Sequence, residues 1–148
     1  DSEMADIYGT GADLRAFEAE VADLLGMPDA VFMPSGTMAQ QIALRLWCEH
    51  SGRPTVAMHP TSHLETAEHQ GYQFLHNIRR LQFGAPEFMA SRLLTLADFV
   101  GLPVKPGAII LELPMRPLGG QLPAWEELVG ISKWARENQI PLHLDGAR

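Results

Sequence analysis

Apolar residues recur along the chain in two alternating rhythms. Leu14, Phe17, Val21, Leu24 and Leu25 repeat at three- and four-residue steps, which predicts an amphipathic helix over 12–25 with Gly26 as its stop. The run Ala30-Val31-Phe32-Met33 is too short for a helix and leads into Pro34-Ser35-Gly36, so it reads as a buried strand entering a turn. Helical spacing resumes over 37–50 through Met38, Ile42, Leu46 and Trp47, and a short strand follows over 55–58. A helix with one polar side is expected over 64–75, a strand over 79–83, and a loop over 84–92. Thr95 is placed to cap a short helix over 95–100. Ala108-Ile109-Ile110-Leu111-Glu112-Leu113 is the clearest strand. A helix with Pro123 in its first turn runs to 137 and offers Trp125, Leu128, Val129 and Trp134 for burial. The last strand spans 142–144.

Short apolar strands separated by helical segments predict an α/β fold, with a mainly parallel sheet sandwiched by helices. Ligands of such sheets bind beyond the carboxyl ends of the strands, so residues that follow strands matter most. The chain has 148 residues, 46% hydrophobic and 20% charged, an ordinary balance for one globular domain. Its net charge of −7 offers no basic stripe to a phosphate backbone, and no nucleic-acid partner is expected. The single cysteine, Cys48, can close no internal disulfide and build no thiolate metal site. No apolar run approaches the ~18 residues of a membrane span, and the acidic, polar start is unlike a signal peptide. A cytoplasmic protein with no membrane partner is expected. The start Asp1-Ser2-Glu3 and the stop just after a strand suggest a domain over 1–148 that is incomplete at both ends.

Four groups of residues could carry chemistry. Pro34-Ser35-Gly36-Thr37 stands at a predicted strand-to-helix junction, where exposed N–H groups and the helix dipole favour an anion. Ser35 and Thr37 could add hydroxyl bonds to a phosphate, although helix capping is the commoner use of such residues. Asp145 ends the last strand, where a carboxylate needs a charged or hydrogen-bonded partner. A protonated heterocycle nitrogen would serve; so would a helix cap or a salt bridge to Arg148. His59, His63 and His69 lack the regular helical spacing of a zinc motif, so no metal is expected. His63 follows a strand and could set its flat ring against a flat ligand, or simply lie at the surface. Glu112, at the end of the best strand, and Gly119-Gly120 form the fourth and weakest group.

Together these segments resemble the threonine aldolase/β-eliminating lyase family, whose members have the large domain of type I pyridoxal-phosphate enzymes. The resemblance runs from about Ile7 to Arg148. Phe32-Met33-Pro34-Ser35-Gly36-Thr37-Met38-Ala39 is similar to the family's phosphate-binding turn, and His143-Leu144-Asp145-Gly146-Ala147-Arg148 is nearly identical to its His-Leu-Asp-Gly-Ala-Arg segment. Ile7-Tyr8-Gly9, Ser62-His63 and Gly119-Gly120-Gln121-Leu122-Pro123 give further support. The resemblance implies pyridoxal 5'-phosphate as cofactor, with its phosphate held by Ser35, Gly36 and Thr37. It lays His63 on the pyridine ring, pairs Asp145 with the ring nitrogen, and sets Arg148 on the substrate carboxylate or the phenolic oxygen. The implied reaction splits a small, threonine-like β-hydroxy-α-amino acid into glycine and an aldehyde, in a homodimer or homotetramer.

Three departures from the family pattern bear on that reading. The only lysines, Lys105 and Lys133, do not follow Asp145 as the family's Schiff-base lysine does. That lysine is therefore expected beyond residue 148, and this stretch alone should be inactive. Glu112-Leu113-Pro114-Met115-Arg116 stands where the family often has Glu-Asn-Thr-His, so the histidine tied to the hydroxyl proton is missing. Ala67 replaces an aromatic residue. A β-eliminating lyase of the same fold, a non-catalytic relative, and a nucleotide-binding α/β module using the 35–37 turn are the alternatives.

Overall fold

The computed structural model describes residues 6–147, which fall into two compact units, one ending at Ser35 and the other beginning at Gly36. In the first unit, Asp6 closes a turn by accepting the N–H groups of Thr10 and Gly11 at 3.0 and 2.8 Å. Helix α1 (Ala12–Leu25) follows, as predicted. Gly26 ends it in the left-handed region (φ 62°), where its N–H reaches the carbonyls of Ala22 and Asp23.

The strand predicted over 30–33 does not form. Those residues are non-regular, and no strand among the described residues pairs with them. The N–H of Phe32 instead bonds Oε1 of the buried Glu18 at 2.9 Å, and its ring meets that of Phe17 edge-on. An apolar run is thus anchored by one side-chain carboxylate rather than by a ladder. Most of the apolar stripe of α1, including Phe17, Leu24 and Leu25, is exposed.

The second unit opens with α2 (Gly36–Ser51) and is built on β1 (Thr55–Ala57), β2 (Arg79–Leu81), β3 (Ala108–Glu112) and β4 (Leu142–Asp145). All pairs are parallel, in the order β2-β1-β3-β4. Alternate residues face opposite sides. Val56, Ala108 and Ile110 share one core with Leu44 and Cys48 of α2, Leu64 and Tyr72. Ala57, Ile109 and Leu111 share the other with Phe99 of α6 (Leu96–Val100) and with Ile131 and Ala135 of α7 (Trp125–Glu137). Both faces are covered, which explains the unbroken apolar sequence of β3.

The cap predicted for α6 is present: Asp98 accepts both the N–H and the hydroxyl of Thr95, and its carboxylate is braced by Arg92 at 2.6 Å. The loop expected over 84–92 contains one short helix, α5 (Pro86–Met89). In α7, Ile131 and Ala135 are fully buried, Leu128 and Trp134 pack partly against the core, and Trp125 and Val129 remain exposed.

Two helical predictions change in ways that matter for function. The segment expected as one helix over 64–75 is two short ones, α3 (His63–Thr66) and α4 (Gly71–His76), because His69 and Gln70 adopt φ values of 51° and 56° between them. The inward face of α2 is also not the predicted apolar stripe. Leu46 and Trp47 are exposed, whereas Gln40, Gln41, Leu44 and Cys48 are buried.

Candidate active site

A cleft of about 570 Å³ lies within the second unit, beyond the carboxyl ends of β3 and β4. This is where a parallel sheet leaves backbone ends and loops to build a site. The first residues of α2, Gly36 and Thr37, form one part of its wall. A helix of 16 residues presents first-turn N–H groups and the positive end of its dipole at that mouth. A Cβ built on Gly36 would meet nothing within 4 Å, so the approach to the backbone is open.

His63 lines the cleft from the start of α3, and two carboxylates fix it. Its backbone N–H donates to Oε1 of Glu112 at 2.5 Å. Its Nδ1 lies 2.9 Å from Oε1 of Glu68. Glu68 is itself buried, and it also accepts Nε2–H bonds from Gln40 at 2.6 Å and Gln41 at 3.0 Å. This arrangement leaves Oε1 of Gln40 buried without a partner, a cost of ~1–3 kcal/mol in general.

Asp145 is the last residue of β4 and the register partner of Glu112, so two strand-end carboxylates stand side by side. Its Oδ1 accepts the N–H of Ala147 at 3.1 Å. His143 lines the same cleft two residues earlier, and burial pushes its imidazole below the usual value, partly offset by Asp145. Arg116 reaches the rim from a short 3₁₀ turn (Arg116–Leu118), and its side chain makes no hydrogen bond or ion pair with the described residues.

Five of the residues singled out in the sequence, Gly36, Thr37, His63, Glu112 and Asp145, are therefore brought to one cleft. Ser35 is the exposed last residue of the first unit. Arg148 lies outside the described residues. The histidine trio disperses. His59 is buried, with Nε2 on the Arg92 carbonyl at 3.0 Å and Nδ1 accepting the Thr61 N–H at 3.1 Å, while His69 is exposed.

Sequence reasoning missed Gln40, Gln41, Glu68 and His143. On an unbroken helix, residues five apart lie about 140° apart, which would turn Glu68 away from His63. The helix ends at Thr66, with Ala67 at φ −121°, and leaving helical geometry there is what keeps them in contact; no residue type at that position announces it.

The residues of the cleft fit pyridoxal phosphate. Gly36 is an open cradle at a helix mouth, Asp145 offers a carboxylate to a cationic ring nitrogen, and the His63 ring is part-exposed in the same cleft.

Comparisons with known proteins agree with this architecture. The β-eliminating lyase family model matches residues 4–148. The low specificity L-threonine aldolase of Escherichia coli K12 is 32% identical over 97% of this chain and 43% of its own length. Aldolase vrtJ of Penicillium aethiopicum is 34% identical over 88% of this chain and 34% of its own length. A crystal structure from Listeria monocytogenes EGD-E, assigned as an L-allo-threonine aldolase, superposes with a TM-score of 0.92 at 48% identity, covering all of this chain and 40% of that one. One from Exiguobacterium, assigned as an aromatic amino acid β-eliminating lyase/threonine aldolase, gives 0.91 at 50% identity, again over all of this chain and 40% of the other. The chain thus spans less than half the length of these relatives. Its sheet and helices superpose on part of those two crystal structures, and it belongs to the β-eliminating lyase family.

Proposed function

We propose that the intact protein is a pyridoxal-phosphate-dependent lyase that cleaves a small, threonine-like β-hydroxy-α-amino acid to glycine and an aldehyde. The observation that carries this reading is the convergence of a helix mouth, a histidine ring and a strand-end carboxylate on one cleft. Gly36 and Thr37 would hold the cofactor phosphate, Asp145 the ring nitrogen and His63 the ring. When bound, the cofactor supplies an electron sink for a carbanion at the amino acid's α-carbon.

The chain's own residues do the rest. Asp145 presents its carboxylate at the strand end, where it would favour a cationic partner. Glu112 clamps the backbone of His63 and fixes where its ring begins. A guanidinium is the natural partner of the substrate carboxylate. Arg116 stands at the rim, and Arg148 is the family's choice. Neither Lys105 nor Lys133 lines the cleft, so the Schiff-base lysine is assigned to chain beyond residue 148. The same reading makes the protein a cytoplasmic homodimer or homotetramer, in line with the apolar side chains that α1 leaves exposed.

One observation favours β-elimination as a second reading. Leu113 and Pro114, rather than a polar pair, line the cleft after Glu112. The intact protein should release glycine and acetaldehyde from L-threonine or L-allo-threonine. Pyruvate from L-serine with no glycine from either threonine would favour elimination. No turnover of any of the three would overturn the lyase reading.

A further inference from the structure

The cleft holds a buried carboxylate, Glu68, that the proposed function does not use. Glu68 is nine-tenths buried yet carries a carboxylate, and three side chains meet it: Gln40, Gln41 and His63. Gln40 pays for its bond with an unpartnered carbonyl, so the amide is held with its N–H toward Glu68. Gln41 is kept in place by the absence of a side chain at Gly71, where a Cβ would stand 2.8 Å from both amide tip atoms. The break between α3 and α4 turns Glu68 inward beneath the histidine. The break, the glycine and two buried amides on a helix face that would otherwise be apolar all serve one carboxylate.

The consequence lies in the histidine. A carboxylate only accepts hydrogen bonds, and amide N–H groups already meet both oxygens of Glu68. The proton in the contact with His63 therefore sits on Nδ1. The ring's other nitrogen, Nε2, has no partner among the described residues, and 42% of the side chain is exposed.

Resting on the lyase reading for its substrate, we infer that Glu68 is a positioning residue. It holds His63 as the Nδ1–H tautomer, so that unprotonated Nε2 accepts a hydrogen bond from the substrate's β-hydroxyl group. This chain has no histidine in the 112–116 segment, and His63, so oriented, supplies an acceptor from another wall of the cleft.

The test is the ¹⁵N spectrum of the His63 ring in the intact protein at a pH where the ring is neutral, which requires no substrate. The proton should be found on Nδ1 and should move to Nε2 in Glu68→Met, which keeps the bulk and removes the acceptor. Glu68→Gln, whose amide oxygen can still accept, should leave the proton on Nδ1. A wild-type ring protonated at Nε2 overturns the inference even if Glu68→Met does not fold, and so does an unchanged tautomer in a folded Glu68→Met. In the substrate arm, Glu68→Met should cut turnover of L-threonine by at least about tenfold while weakening the binding of glycine, which has no β-hydroxyl, by a smaller factor. Equal loss for both ligands would reduce Glu68 to a structural role. If the spectrum behaves as expected but threonine is not cleaved, the lyase reading fails and the role of Glu68 in setting the tautomer stands.

Discussion

Single residues in the cleft are set by what each must sit beside. Glu112 and Asp145 end neighbouring strands in register, one accepting a backbone N–H from His63 and the other from Ala147. His143 shares this edge, and burial lowers its proton affinity. Unfolding therefore raises its affinity for a proton. Its contribution to stability is full above the ordinary imidazole pKa of 6.5 and is lost as pH falls through the lowered folded value. Denaturant midpoints should drop between about pH 7.5 and about pH 5.5, and His143→Gln should drop less over the same interval. An identical drop in both proteins would show that burial of His143 contributes nothing.

At the scale of elements, legibility followed burial symmetry. Strand β3 is covered on both faces, so its apolar run was readable without any neighbour in view. The capped α6 was equally plain, since Thr95 and Asp98 interact locally. What could not be read depends on distant partners. The 30–33 run reads as a strand because apolar content does not reveal whether a neighbouring strand will pair with it. The inward face of α2 departs from its apolar stripe because Gln40 and Gln41 are buried for a carboxylate 27 or 28 positions away. For the same reason the sequence displayed Gly36, Thr37, His63 and Asp145 but concealed Glu68 beneath them.

The approach to β3 offers an element-scale test. A Cβ on Gly107 would lie 2.2 Å from the carbonyl oxygen of Arg53 and 3.1 Å from Sγ of Cys48. Backbone, not a flexible side-chain tip, is in the way. Gly107→Ala should destabilise the protein by up to ~3 kcal/mol, the upper end for overpacking. Calorimetry showing no loss would mean that this junction gives more easily than its geometry implies.

Across the whole molecule, a four-stranded parallel sheet delivers its chemistry to one end. The strands contribute Glu112 and Asp145, the crossover after β1 contributes His63 with its buried support, and the start of α2 contributes Gly36 and Thr37. Residues far apart in sequence meet because parallel strands all terminate on the same side. The central claim is that this end of the sheet is built for an aromatic cation with an anionic tail, the tail at the helix mouth and the cation at Asp145. Titration of the cofactor-free intact protein with pyridoxal phosphate, followed by visible absorbance, tests it most directly. Saturable binding is expected, and Asp145→Ala should weaken it about 10–100-fold, as for loss of one charge-assisted hydrogen bond. Equal affinity in the two proteins, or no binding by either, would contradict the account.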